Sequence, residues 1–153
     1  MSRITRVSES GRKAIQKHEK LMLKAYLCPA GVPSIGFGNT YYEDGRRVKL
    51  TDPPITRERA EALFLRTLSY FEKEVDGLTR DDLTQNQFDA LVSFAYNVGV
   101  DALKRSTLIK KVNARAPYKD IQAQFLRWTR ANGKIMAGLV ARRKAEAELY
   151  GRA

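Results

Sequence analysis

Glu19, Cys28 and Ser34 are the residues of this chain whose types and spacing could do chemistry together. Eight residues separate the carboxyl from the thiol, and five separate the thiol from the hydroxyl. A carboxyl partly shielded by protein holds its proton more tightly and becomes a candidate general acid near neutral pH. A second polar group beside such an acid can hold or activate water. A thiol does so only weakly, because at a pKa near ~8.5 little of it is ionised at pH 7. It can help hold a water, and the Ser34 hydroxyl could hold the same water more firmly. Each residue also has a plainer reading. Glu19 could be a solvated helix glutamate, one of 17 acidic residues, Cys28 a buried inert thiol, and Ser34 a turn serine satisfying backbone groups.

A different chemistry would use Cys28 as nucleophile with His18, the only histidine, as its base, in a cysteine-dependent amidase or endopeptidase. Such enzymes favour a cysteine at a helix N-terminus, whereas here Pro29 and a turn follow it. Metal chemistry is poorly supplied, since His18-Glu19 is not followed by a second histidine four residues on. The single cysteine rules out an internal disulfide, so the fold does not depend on an oxidising compartment.

The elements that must position these residues follow from the apolar spacing. Ala14, Ile15, His18, Leu21 and Met22 predict a helix over about 10–24, with Glu19 near its C-terminal end, that feeds straight into a sheet. From about 25 to 52 the segments are short and punctuated by glycine and proline, with turns at 29–31 and 44–45. They predict a small antiparallel lobe with strands at roughly 25–28, 34–38 and 46–50. Gly31, Gly36 and Gly38 fit tight turns first, and a close approach of a ligand to backbone second.

A helical lobe follows over about 55–150. Thr56 caps a helix with its stripe on Ala60, Leu63, Phe64, Leu68, Phe71 and Val75, and Thr84 with Gln87 forms a capping box ahead of Phe88 and Leu91. Asn97-Val98-Gly99 ends that helix. Shorter helices start at Ser106 and Pro117, Asn132-Gly133 breaks the chain, and a last helix runs from about 138 to 150. Trp128 shares a stripe with Ile121 and Phe125 and reads as core. The class is α+β, mostly helical, one domain over 1–153, with a cleft between the lobes as the place for chemistry.

The net charge of +11 is spread from Arg3 to Arg152 without a block of like charges, which excludes a disordered basic tail. It suits an acidic partner such as nucleic acid, an anionic membrane or a cell envelope. The first ten residues lack the apolar core of a signal peptide, and no run approaches a membrane span. The expectation is a protein made in a cytosol that something else must let out.

The run H-E-(x)8-C-(x)5-S-I-G-F-G-N-T resembles the catalytic segment of the phage-type lysozymes, glycoside hydrolase family 24. There a glutamate is followed after eight residues by aspartate or cysteine, and after five more by threonine. T-Q-N-Q-F-D-A-L-V-S-F-A-Y-N-V-G at 84–99, S-T-L-I-K-K-V-N at 106–113, F-L-R-W at 125–128 and G-L-V-A-R-R-K-A-E-A-E-L-Y at 138–150 resemble further family segments in the same order. The resemblance implies a lysozyme-like fold and an endolysin that cleaves the β-1,4 bond between N-acetylmuramic acid and N-acetylglucosamine for host lysis. It makes Glu19 the catalytic acid, puts Cys28 and Ser34 where carboxylate and threonine are commoner, and offers Tyr26 and Asn97 as substrate-binding residues. Lytic transglycosylase chemistry at the same bond stays open, as does the choice of Arg142 or Arg143 as a partner for Glu19. The partner implied is peptidoglycan, reached in the periplasm after release through a holin. No cofactor, metal, nucleic acid or stable membrane anchor is implied, and the protein is expected to be a monomer.

Overall fold

The computed structural model describes residues 3–28 and 30–152, so Pro29, in the turn expected after Cys28, lies outside the described residues. Helix α1 spans Glu9–Glu19 and begins at Ser8, whose hydroxyl accepts from the Gly11 N–H at 3.0 Å. It stops five residues earlier than the apolar spacing suggests. Lys20 takes a left-handed φ of 52° and its N–H closes on the Gln16 carbonyl, a helix stop normally made by glycine. Leu21 therefore lies past the helix, and Met22 opens strand β1, Met22–Leu27. A short apolar run fits either element, which is why the boundary was misplaced.

Strand β1 pairs antiparallel with β2, Pro33–Gly36, in the register Met22↔Gly36, Tyr26↔Ser34 and Leu27↔Pro33, with an irregularity between Met22 and Tyr26. The third strand expected over 46–50 does not form. Residues 40–48 instead make a tight excursion with one isolated bridge, Tyr41↔Arg47, and hydrogen bonds from Tyr42 N to Arg46 O and from Val48 N to Thr40 O, both 2.9 Å. Side chains hold it where a ladder is lacking. The buried Tyr42 donates its hydroxyl to Asp52 at 2.8 Å, and the guanidinium carbons of Arg46 and Arg59 lie 4.8 and 4.9 Å from its ring centre.

Helix α2 spans Arg57–Leu78 and α3 Gln85–Val98, capped by Thr56 and by the Thr84–Gln87 capping box as their sequences predict. Four helices complete the lobe. They are α4 at Val100–Arg105, which the sequence did not announce, α5 at Thr107–Asn113, α6 at Tyr118–Phe125 and α7 at Ala137–Gly151. Between α6 and α7 the Asn132-Gly133 break is a small hairpin, with β3 at Arg130–Ala131 paired to β4 at Lys134–Ile135. Both turn residues have positive φ, 52° and 77°, the two-residue turn that Asn-Gly favours.

Helix α3 is the centre of the lobe. Every residue from Gln87 to Ala95 is buried, and α1, α2, α4 and α7 pack around it. The rings of Phe37, Phe64, Tyr96 and Phe71 form a chain with centroids 5.2 to 5.6 Å apart, which joins the sheet lobe to α2 and α3. The buried Phe37 and Phe64 each contribute roughly 1.5–3 kcal/mol by leaving water, and the half-buried Phe71 and Tyr96 contribute less. Trp128 meets Phe94 edge-on at 5.4 Å, a core contact. Among the described residues no helix is long and apolar enough to cross a membrane.

Candidate functional site

Glu19 is the last residue of α1, and two anchors fix where that helix end falls. At the start of α1 the buried Asp89 of α3 accepts from the Ser8 N–H at 3.0 Å and from the Ser8 hydroxyl, while Gln85 donates to it at 2.8 Å. Gly11 permits the approach, because a Cβ there would stand 2.6 Å from Asp89 Oδ2. At the far end Gln16 donates to Glu61 of α2 at 2.7 Å.

The Glu19 carboxyl is bonded on one oxygen and closely bordered on the other. Oε2 accepts from Arg142 Nη1, and Oε1 abuts Gly38, where a Cβ would sit only 2.8 Å away. Glu19 retains 16% exposure of its side chain, against 4% for Arg142, so the carboxyl reaches solvent while its cation is enclosed. Gly38 is itself held in place. Next to it, the Phe37 carbonyl accepts from the Tyr96 hydroxyl at 2.7 Å, and Asn39 donates to Thr67 Oγ1 of α2 at 2.7 Å.

Arg142 spends all three nitrogens. Nε donates to Glu146 Oε2 at 3.2 Å and Nη2 to the Ser93 carbonyl at 2.9 Å. Glu146 also accepts from the Ser93 hydroxyl at 2.5 Å. Arg143 Nε stands 3.0 Å from Glu146 Oε1 as an ion pair whose N–H is not aimed along the contact, and its Nη1 finds no acceptor. Its guanidinium carbon lies 4.8 Å from the centre of the Phe94 ring. Burial lowers Arg143 to about 10, which leaves it charged at neutral pH, and burial raises Glu146 against the pull of the two arginines.

Tyr26, Cys28 and Ser34 lie on the facing hairpin. Tyr26 and Ser34 are directly opposed in the ladder and so project from one face. Burial raises the Tyr26 phenol, and the negative charges of Glu19 and Cys28 raise it further, which brings these three residues into one electrostatic neighbourhood. Cys28 is half-buried. Burial pushes its thiol up, but the N–H groups of Val32, Ala30 and Cys28 itself, together with the Ser34 hydroxyl, favour the thiolate and bring the net shift below the ordinary value. The one hydroxyl proton of Ser34 goes to the Val32 carbonyl at 3.1 Å in this geometry, and turning to the sulfur would cost that bond.

Asn97 is tied to the other arginine of α7: its carbonyl oxygen accepts from Arg143 Nη2 at 2.9 Å, and its amide hydrogens are the donors it could offer a ligand. His18 is held low by burial and by the charges of Arg142, Arg143 and Lys17, whereas the groups that act on Cys28 do not include it. Nothing in that arrangement couples His18 to Cys28.

Residues 16–146 match the family model described as phage lysozyme. An endolysin of Acyrthosiphon pisum secondary endosymbiont phage 1 is 37% identical over 148 residues, which cover 94% of this chain and 97% of that one. Among solved structures, an endolysin from Escherichia coli O157:H7 phage FAHEc1 superposes with a TM-score of 0.84 at 37% identity, covering 95% and 93% of the two chains. A mutant of P22 lysozyme gives 0.78 at 32% identity, covering 96% and 99%.

This chain belongs to the phage lysozyme family.

Within this lysozyme the sequence had singled out Glu19, Tyr26, Cys28, Ser34 and Asn97, and had left the arginine partner open between 142 and 143. The structure pairs Glu19 with Arg142. Gly38's contact with Glu19, the Ser93 and Glu146 pair and the Asp89 anchor were not read from the sequence. One signal for Glu146 was available. Arg143, Glu146, Ala147 and Tyr150 recur at three- and four-residue spacing as one buried stripe of α7, and charged residues in such a stripe need partners.

Proposed function

We propose that this chain cleaves the β-1,4 bond between N-acetylmuramic acid and N-acetylglucosamine, with Glu19 as the acid that protonates the bridging oxygen. The family and its endolysin relatives make the chain a lysozyme-type peptidoglycan hydrolase. The observation that carries the residue-level reading is the setting of Glu19, a carboxyl at the end of α1 bonded by Arg142 on one oxygen and closely bordered by Gly38 on the other. Because Oε2 takes the arginine N–H, the transferable proton sits on Oε1. Water then attacks the anomeric carbon as the C1–O bond breaks, and its proton passes to the Cys28 thiolate while the Ser34 hydroxyl orients it. Tyr26 borders the sugar, and Asn97 offers its amide hydrogens to an acetamido group. The depressed thiol supports this division of labour, since a thiolate can take up the charge-stabilising task of the missing carboxylate.

In this reading residues 1–153 act as one monomeric domain with the substrate lying between the sheet and helical lobes. Release to the periplasm runs through a holin, and the charge of +11 favours an anionic envelope. The test is turbidity loss of outer-membrane-permeabilised Gram-negative cells, together with mass spectrometry of digested peptidoglycan. Glu19→Gln is expected to lose at least a hundredfold in lysis, and wild type to leave reducing muramic ends. Full lysis by Glu19→Gln defeats the assignment of Glu19. Products ending in 1,6-anhydromuramic acid would replace hydrolysis by transglycosylation, and released stem peptides would replace both by amidase chemistry.

A further inference from the structure

We propose that Glu146 is a positioning residue for the catalytic acid, acting through Arg142, and that it sets the pH range over which the acid works. The inference rests on the assignment of Glu19 above. Arg142 is a planar fork whose three nitrogens reach three elements: Nη1 to Glu19 of α1, Nη2 to the Ser93 carbonyl of α3, and Nε to Glu146 one turn along α7. With Nε and Nη2 fixed, the direction of Nη1 is fixed too. Glu146 can serve as that fixed point because the Ser93 hydroxyl at 2.5 Å and Arg143 at 3.0 Å hold it in turn. Ser93 thus acts twice, by its carbonyl on Arg142 and by its hydroxyl on Glu146.

The charges alternate along the chain of contacts, from Glu19 to Arg142 to Glu146 to Arg143, and they cancel. The other titratable groups facing the cluster leave that balance alone. His18 on α1 is held low and stays neutral, and the phenols of Tyr96 on α3 and Tyr26 on β1 are raised and stay protonated. Asn97, which completes the hold on Arg143, carries no charge. Loss of the Glu146 charge would therefore leave one uncompensated positive charge beside Glu19. In Glu146→Gln the amide oxygen can still accept from Arg142 Nε, but as a neutral and weaker acceptor than the carboxylate.

The sign of the effect follows. An acid works only while protonated, so activity falls as pH rises through its ionisation. An added positive charge favours the ionised carboxylate and moves the alkaline limb of the pH–rate profile to lower pH. For one charge about 7 Å away across a guanidinium, at an effective dielectric near ~20, the displacement is roughly one to two pH units. Loosening of Nη1 adds a fall in kcat of about tenfold. KM should stay within about twofold, because Glu146, 3% exposed, cannot touch the glycan.

The test measures kcat, KM and pH profile on soluble peptidoglycan for wild type, Glu146→Gln and Arg143→Met, with circular dichroism to establish folding. Glu146→Gln is expected to move the alkaline limb down, and Arg143→Met, which leaves the cluster one charge negative, to move it up. Opposite displacements are beyond a merely structural role. Unchanged limbs in both folded variants overturn the proposal. If neither variant folds, carbon-13 carboxyl titration of wild type decides: the Glu146 resonance should shift in step with Glu19, and an independent response overturns the proposal. Glu19→Gln run alongside separates the two readings. Lysis by that variant defeats the acid assignment itself, whereas an inactive Glu19→Gln beside an unperturbed Glu146→Gln defeats only the positioning role.

Discussion

Gly38→Ala tests the clamp on Glu19 with a single methyl group. Two costs can be separated. The first is backbone strain, since Gly38 has a φ of +79° and an alanine there costs about 1–2 kcal/mol. For a chain of this length that lowers Tm by roughly 2–8 °C. The second is steric. The new Cβ would stand 2.8 Å from Glu19 Oε1, where ordinary contact begins at 3.4 Å, so something must yield by 0.6 Å. A free glutamate would swing aside at little cost, but this one is tied by Oε2 to an enclosed Arg142. If a 1 Å misplacement costs about a hundredfold in rate, 0.6 Å costs roughly ten- to twentyfold.

Gly45→Ala supplies the control. Gly45 has a φ of +84°, yet a Cβ there would meet nothing within 4 Å. The two variants should lose similar stability, while only Gly38→Ala should lose turnover. The assay is turbidity loss per folded enzyme, at a temperature well below both melting transitions. Equal specific activity in the two variants would refute the claim that Gly38 fixes the position of Glu19.

Two further predictions concern the thiol and the helix anchor. The Cys28 thiol, depressed in the folded state, should show a thiolate absorbance at 240 nm with a midpoint below that of the unfolded chain, and a midpoint at or above it would contradict the hydrogen-bond account. Between those two values the unfolded chain binds the extra proton, so this contribution to stability grows as pH rises and is gone once pH falls through the folded value. Asp89→Ala removes the acceptor of Ser8 N–H, of Ser8 Oγ–H and of Gln85, and should lower unfolding free energy by about 2–4 kcal/mol as a drop in denaturant midpoint with an unchanged slope. A loss below about 1 kcal/mol would mean that α1 is held mainly by its apolar face.

The helices of this protein were legible because their signals are local. Thr56, the Thr84–Gln87 box and Gly99 act within one turn of the residues they cap. The errors fell where a local signal was equivocal or its outcome was set at a distance. Lys20 ends α1 with a backbone conformation that its residue type disfavours, and what competes for the residues after it lies at a distance in sequence, since Met22–Leu27 pair with Pro33–Gly36 as a strand. Residues 46–50 have strand composition but lack a partner long enough for a ladder, and the rings and charges around Tyr42 hold them instead. The Asn-Gly turn of β3 and β4 was a local signal of the usual kind, read only as a chain break.

The site divides along the same line, and the division bears on why the cluster exists. Glu19, Cys28 and Ser34 fall within 16 residues and form a readable motif, whereas Arg142 reaches Glu19 across 123 positions of sequence. Three buried charges on one helix are a poor route to stability. Enclosing Arg142, Arg143 and Glu146 removes their hydration, and well-packed apolar side chains at such positions are often as stable or more so. Arg143 even keeps a buried N–H without an acceptor. The arrangement becomes intelligible when the quantity served is the direction of one carboxyl. An apolar neighbour could pack against Glu19 but could not orient its oxygens, and an arginine alone on its long stem would wander. Glu146 and Ser93 supply the two further contacts that turn the guanidinium into a rigid fork, and Arg143 returns the charge balance to zero. On the role proposed for Glu19, the stability given up there serves the geometry of proton transfer, so replacing Arg142, Arg143 and Glu146 together by packed apolar side chains should raise the denaturant midpoint while lysis of permeabilised cells is lost.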